Sequence, residues 1–430
     1  MEAKDTQAKA SNAADRDNKS DRVDNIDRVN RVSKVLNVSN DNHTQHTKHG
    51  WEVKKLGEVC ESDLGKTLNQ SKDKGLLRPY LCAINVLWDK FDLTTLKETR
   101  FEDSELERYS VKKGDLLICE GGDIGRAAIW NSDIVMLYQN ALHRVRLNKS
   151  INSRFVLLYL RHLKKSRILD TRYGKGVTIK HLVKSSLLSI PIPIPPMDEQ
   201  ERIVRELDCL SGVIERKRDQ LKQLDALAQS IFYNMFGDPI SNEKGWKIDK
   251  LGNLGEIIAG STPSTTDDSN WGGNINWVTP AELNEQLYYG ETIRKITEKA
   301  AKSLTLMPIG TVLLSSRAPI GKLAITTTPM CCNQGFKNII CSNRINNVFL
   351  YHYLKLTIDD IKALGRGATF KEVSKKNISD YKIYIPPLSL QEEFADKIEA
   401  IETQKELLKR SIKEVETLFD ARMDYYFGDT

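Results

Sequence analysis

From Met197 to Phe236, apolar side chains recur at alternating steps of four and three: Ile203, Leu207, Leu210, Ile214, Leu221, Leu224, Ala228, Ile231 and Met235, with Lys217 filling one step. Such a stripe predicts a helix that packs lengthwise on another helix, because a strand would alternate every second residue. The stretch holds no proline and only one glycine, Gly212, so the predicted helix is unbroken. At 1.5 Å per residue, about 40 residues reach about 60 Å. The pattern returns 191 residues later at Phe394, Ile398, Ile401, Leu408, Ile412, Val415, Phe419 and Tyr426, with Lys405 and Arg422 at the remaining steps. Charged runs such as "ERKRDQLKQ" and "ETQKELLKR" fill the flanks. One such helix alone would leave its stripe in water, so its duplicate is the natural partner. The expectation is an antiparallel two-helix coiled coil, with one globular domain at each end and a pseudo-twofold axis between them.

Ahead of each long stripe the period changes. Short β-branched runs ("DLLICE", "AAIW", "LSIPIPI"; "TVLLSS", "LAITTT", "YKIYI") alternate with glycine-rich turns and one helical segment, "SRFVLLYLRHLKKS" or "NNVFLYHYLKL". This predicts an α+β domain, and it too is duplicated. "GWEVKKLGEVCE" returns as "GWKIDKLGNLGE", "GDLLICEGGDIGRAAI" as "GTVLLSSRAPIGKLAI", "YGKGVTIKHL" as "LGRGATFKEV", and "NMFGDP" as "YYFGDT". "IPPMDEQ" and "IPPLSLQ" mark the same strand end, proline stop and helix start. The expected organisation is a polar, disordered extension (1–49), a first domain (50–196), a long helix (197–236), a linker (237–244), a second domain (245–387) and a second long helix (388–427). A pseudo-cyclic duplicate should also bring the region near Gly50 close to the final "FGDT".

A chain of 430 residues exceeds what one hydrophobic core normally supports, in keeping with two domains. No apolar run is long enough to span a bilayer and the N-terminus has no secretion signal, so the expected location is the cytoplasm. The seven cysteines form no CxxC pair, which argues against a zinc site or a disulfide framework. His43, His46 and His49 are spaced as metal ligands can be, but a polar tail explains them better, and no metal is expected. The charge is segregated: of the net +6, the two long helices carry about −2 and −4 and the extension about +1, leaving about +11 on the domains. Basic domains joined by acidic helices suit a polyanion binder.

Catalytic tools are missing from the motifs. "EGGDIGRA" lacks G-x-G-x-x-G, and "APIGKLA" lacks the rest of a phosphate loop. No G-x-S-x-G serine, cysteine motif or Asn-Pro-Pro-aromatic signature of an amino-methyltransferase is present. What remains is cationic loops. The candidate DNA-contacting residues are Lys66, Lys72, Lys74, Arg78, Arg126, Arg172, Lys175, Lys180 and Lys184 in the first domain, and Arg317, Lys322, Lys337, Arg366, Lys371, Lys375 and Lys376 in the second. Lys and Arg neutralise phosphates, and Arg, Asn and Gln forks read base edges. Gln139-Asn140 and Asn333-Gln334 recur in both copies, where such amides either contact DNA or satisfy backbone groups.

With these motifs duplicated in order, the sequence resembles the specificity subunit of a type I restriction-modification system. The likeness rests on the "GW" and "KLG" openings, "GDIGRAAI" and "APIGKLAI", "GKGVTIKHL" and "GRGATFKEV", and "IPIPPMDEQERIV" and "IPPLSLQEEFADKI" before the long helices. It spans Gly50 to the end, and the second copy departs by carrying Leu390 where the first has Glu199. The resemblance implies two target recognition domains reading halves of a split DNA sequence, with the paired helices as spacer. It further implies no catalysis and no cofactor on this chain. Two methyltransferase subunits carrying S-adenosylmethionine and motor-nuclease subunits using ATP and Mg would be its partners. The alternative from another class is a duplicated coiled-coil scaffold whose end domains bind proteins.

Overall fold

The computed structural model describes residues 47–428, apart from 70, 72, 285, 318 and 366–370. Nearly all of the N-terminal extension, with His43 and His46, lies outside the described residues. The chain packs as two compact units: one runs to Ile214 and resumes at Glu414, and the other is Glu215–Lys413. The unit boundaries therefore fall inside the long helices, Met197–Phe236 and Leu388–Phe427. Each unit holds one domain, the opening part of the helix that follows it and the closing part of the other helix.

In the first unit, strand Glu52–Lys55 pairs antiparallel with Pro191–Ile194, so the chain entering the domain lies beside the chain leaving it. Proline is tolerated there because the pair is only two strands wide. An antiparallel sheet follows in the order Cys60–Leu64, Leu142–Leu147, Leu116–Cys119, Ala127–Ile129. All of Leu116–Cys119 is buried, as expected of a strand covered on both faces. A second sheet has the order Lys97–Phe101, Leu76–Leu81, Met136–Tyr138, Ser110–Val111, with a parallel step between its two middle strands.

The second unit repeats this plan. Lys247–Lys250 pairs with Lys382–Ile385, a five-stranded sheet is built around Lys337–Cys341 and Val312–Leu314, and a smaller sheet again has a parallel step, between Trp271–Val278 and Met330–Cys332.

The repeated Pro-Pro…Gln motif has a structural meaning. Helix Ser153–Lys165 is capped by Asn152, whose side chain accepts from the backbone N–H groups of Arg154 and Phe155. The N–H of Asn152 itself donates to Oε1 of the fully buried Gln200 at 2.8 Å. Nε2 of Gln200 donates to the carbonyls of Pro195 at 2.9 Å and Ser150 at 3.1 Å. The second unit repeats the clamp: Asn346 caps Asn347–Leu356, its N–H donates to Gln391 at 2.8 Å, and Gln391 donates to Pro386 at 2.8 Å. The Leu at position 390 is immaterial to this helix start, because the glutamine carries the contact.

Helix meets helix within each unit. In the first, Glu206 accepts from Arg422 at 3.0 Å and from the Tyr426 hydroxyl at 2.7 Å. In the second, Lys405 pairs with Asp225 at 2.8 Å and Phe232 packs on Phe394. Of the stripe, Ile203, Leu207, Ile214, Phe394, Ile398, Ile401, Ile412 and Phe419 are buried, while Leu210, Leu221, Leu224, Ile231, Leu408 and Val415 are half-buried. The end of the first long helix departs from the four-and-three reading, and the end of the second keeps it in part. In the first helix the most deeply buried end positions are Phe232 and Phe236, at a step of four, whereas in the second Tyr426, on the expected step, is buried together with Met423 and Phe427. The ends gain a further partner: Phe236 packs on Phe349 (4.8 Å between centroids) as well as on Phe394 of the other long helix (5.3 Å), and Phe427 packs on Phe155 and Tyr159 (5.4 Å each), so each helix end also meets the domain helix of its unit. In the same unit, the His49 ring nitrogen Nε2 and the Tyr425 carbonyl oxygen lie 2.8 Å apart, bringing the domain's start to the end of the last helix.

Gln200→Leu and Gln391→Leu are each expected to lower unfolding free energy by about 2–4 kcal/mol, since buried donors and acceptors lose their partners. In urea titrations, Glu201→Ala on the exposed face should move stability by under about 0.5 kcal/mol. A pH effect is expected at His352, which packs edge-on against Phe394. Burial, then Lys355 and Lys405, pull its pKa from 6.5 down to about 3, against an opposing effect of Asp225. The folded histidine stays neutral where the unfolded one takes up a proton, so its contribution is complete above about pH 6.5 and is lost as pH falls toward about 3. His352→Phe should flatten that part of the acid-unfolding profile.

Candidate nucleic-acid interface

The cations singled out by sequence fall into two structural classes. Lys66 is only 5% exposed; its ammonium lies 2.6 Å from Glu105, donates to the Arg100 carbonyl at 2.9 Å and sits over the Phe101 ring. Burial depresses its pKa, but Glu105 and Asp73 outweigh that and raise it, so the charge is held. Lys337, 7% exposed, pairs with Glu372 at 3.1 Å, and Arg317 lies 4.0 Å from the same carboxylate. Arg126 turns inward and donates to the Ala83 carbonyl at 2.7 Å. The fold uses Lys66, Lys337 and Arg126 as internal braces, each engaged by groups of its own domain.

The other class faces outward. Lys74, Arg172 and Lys175 are exposed in the first domain, as are Lys371, Lys375 and Lys376 in the second; Lys180 and Lys322 are half-buried. Arg78 lies 3.4 Å from the exposed Asp103, and Lys184 3.8 Å from Asp63, pairs that solvent screens. Lys72 and Arg366 lie outside the described residues. The recurring amides brace turns: Asn140 accepts from the Ala141 N–H at 2.7 Å and donates to Thr67 at 3.2 Å, and Asn333 accepts from the Gly335 N–H at 2.9 Å.

Chemistry of other kinds has little support among the described residues. No group of three or more His, Cys, Asp or Glu is placed to hold a metal. Burial pushes the thiols of Cys60, Cys119 and Cys331 up to about 11 and those of Cys332 and Cys341 up to about 12, so they stay protonated rather than nucleophilic. No helix among the described residues is long and apolar enough to cross a membrane.

The type I restriction modification DNA specificity domain matches the chain twice, over residues 48–226 and 243–417. The chain belongs to that family. A stretch of 180 residues is 39% identical to the type I restriction enzyme MjaIX specificity subunit of Methanocaldococcus jannaschii, covering 39% of this chain and 42% of the relative. Over 403 residues it is 22% identical to the MjaVIII specificity subunit of the same organism, covering 85% and 89% of the two chains. A solved structure concerned with complex assembly and conformational transition of the type I R-M system superposes with a TM-score of 0.57 at 19% identity. That superposition covers 90% of this chain and 100% of the other, and shows likeness of fold.

In this specificity chain, Arg294 is an exposed cation outside the sequence candidates that the fold sets on aromatic rings. Its guanidinium stacks 3.7 Å over the Trp271 ring and 5.4 Å from Trp277. Such stacking pre-orients an arginine fork for a planar or anionic ligand. The available signal was a tryptophan set among polar residues in "DDSNWGGN"; it packs against the core at Trp277 and Ile296 while offering its ring to Arg294.

The two cation classes should separate in stability measurements. Lys66→Met is expected to cost about 2–4 kcal/mol by stranding Glu105 and Asp73. Lys74→Ala, Lys375→Ala and Lys376→Ala should each stay within about 0.5 kcal/mol in the same chemical denaturation.

Proposed function

We propose that this chain acts as the DNA specificity subunit of a type I restriction-modification complex, each domain reading one half of a split duplex target. Its outward-facing cations set the register on phosphates, and neighbouring polar side chains read base edges in the groove. The long helices pair along their length as an antiparallel coiled coil and act as the ruler that fixes the spacing between half-sites. The observation that carries this reading is the double family match laid over a fold that is itself built twice. The chain is a recognition component without catalysis of its own. Two methyltransferase subunits, supplied with S-adenosylmethionine, dock on the mildly acidic helices, and motor-nuclease subunits using ATP and Mg join them in the cytoplasm.

Deleting one four-residue helical increment between Glu215 and Leu224 should change the spacer of the methylated target while both half-sites stay the same. Methylome sequencing of cells carrying the altered complex reads this out directly. Altered half-sites at unchanged spacing would overturn the ruler. Binding to duplex DNA that does not weaken steeply with salt would overturn the polyanion reading and favour a protein scaffold.

A further inference from the structure

The duplication supplies an internal control. If the two domains read different half-sites, a run of sequence present in both serves something the half-sites have in common. The run Gly174-Lys175-Gly176-Val177-Thr178-Ile179-Lys180 returns as Gly365-Arg366-Gly367-Ala368-Thr369-Phe370-Lys371. In the first domain packing gives no reason for its tip: Val177 is 98% exposed and Ile179 is 65% exposed.

The loop is clamped at its neck. Lys175 and His181 exchange both backbone hydrogen bonds at 2.8 Å, and the N–H of buried Leu182 donates to Glu120 at 2.7 Å. Gly176 has a φ of +109°, and a Cβ there would come within 2.2 Å of the Ile179 carbonyl oxygen, so the bend requires glycine. The tip is thus a fixed projection. Arg172 and Lys175 are exposed beside it and Lys180 is half-buried. Asp123 and Asp170, carboxylates of the adjoining segments, are both taken by Lys164, at 2.8 and 2.9 Å. An apolar tip ringed by cations matches a ligand that is anionic outside and apolar within, as a nucleic-acid duplex is. A protein partner would not require the flanking charge.

We infer that the loop at 174–181 is a sequence-blind wedge: Lys175 and Lys180 rest on phosphates while Val177 and Ile179 press between base pairs beside the half-site and loosen the stack there. The inference rests on the DNA-reading function proposed above.

The test uses the full chain, with and without its methyltransferase subunits, and a duplex pool of random sequence. Val177→Ser with Ile179→Ser is expected to weaken binding roughly tenfold. It should leave the half-sites recovered from the pool and the salt slope unchanged. Lys175→Ala with Lys180→Ala should lower the salt slope by about one per lysine. A 2-aminopurine placed beside the recovered half-site should brighten on binding wild type and stay dim with the serine variant. Full affinity and full brightening in the serine variant would overturn the wedge. So would a changed half-site, which would make the loop a base reader, or a loss confined to methyltransferase association, which would make it a protein-docking tip. A wild-type chain without salt-dependent duplex binding refutes the DNA-reading function itself, and the wedge with it.

Discussion

One buried amide on each side fixes how a recognition domain meets its long helix. Gln200 and Gln391 must accept from an N-cap backbone N–H and donate to a proline carbonyl at the same time. Only a primary amide offers both functions on so short a stem; glutamate could accept but not donate, and methionine could do neither well. The two prolines just before have no N–H to give, so the chain there depends on side-chain donors. The domain's helix and the long helix are thereby referenced to a single side chain, and every contact further along the long helix inherits that alignment.

Much of the architecture was legible because it is written twice. The strand runs, the glycine turns and the two 40-residue helices could be placed from period and repetition alone. Misplaced detail lies where a helix gains a neighbour. A four-and-three stripe assumes one partner along its whole length, yet Phe236 and Phe427 also meet the domain helices, and the first helix closes on Phe232 and Phe236 at a step of four. The clamp was visible as a repeated Gln, but its meaning was not, because its partners Asn152 and Asn346 lie 48 and 45 residues away in the chain.

The candidate interface was legible as charge but not as surface. Whether a lysine meets solvent depends on carboxylates that folding brings to it: Glu105 reaches Lys66 across 39 residues and Glu372 reaches Lys337 across 35. Nothing in a linear pattern separates these from Lys74 or Lys375. Arg294 shows the converse, a cation whose importance comes from the indole beneath it rather than from basic neighbours.

The aromatic closure of the first unit has a temporal side. Phe155 and Tyr159 are covered by Phe427, with Met423 buried one turn earlier, whereas every residue that closes the second unit falls within one continuous stretch of chain. On the ribosome, the second unit can therefore complete its interior before the first, whose helix Ser153–Lys165 keeps a greasy flank bare until Phe427 has been made. A nascent chain of this design has reason to call on a holding chaperone, and emergence of the Phe427 segment is the event that covers that flank.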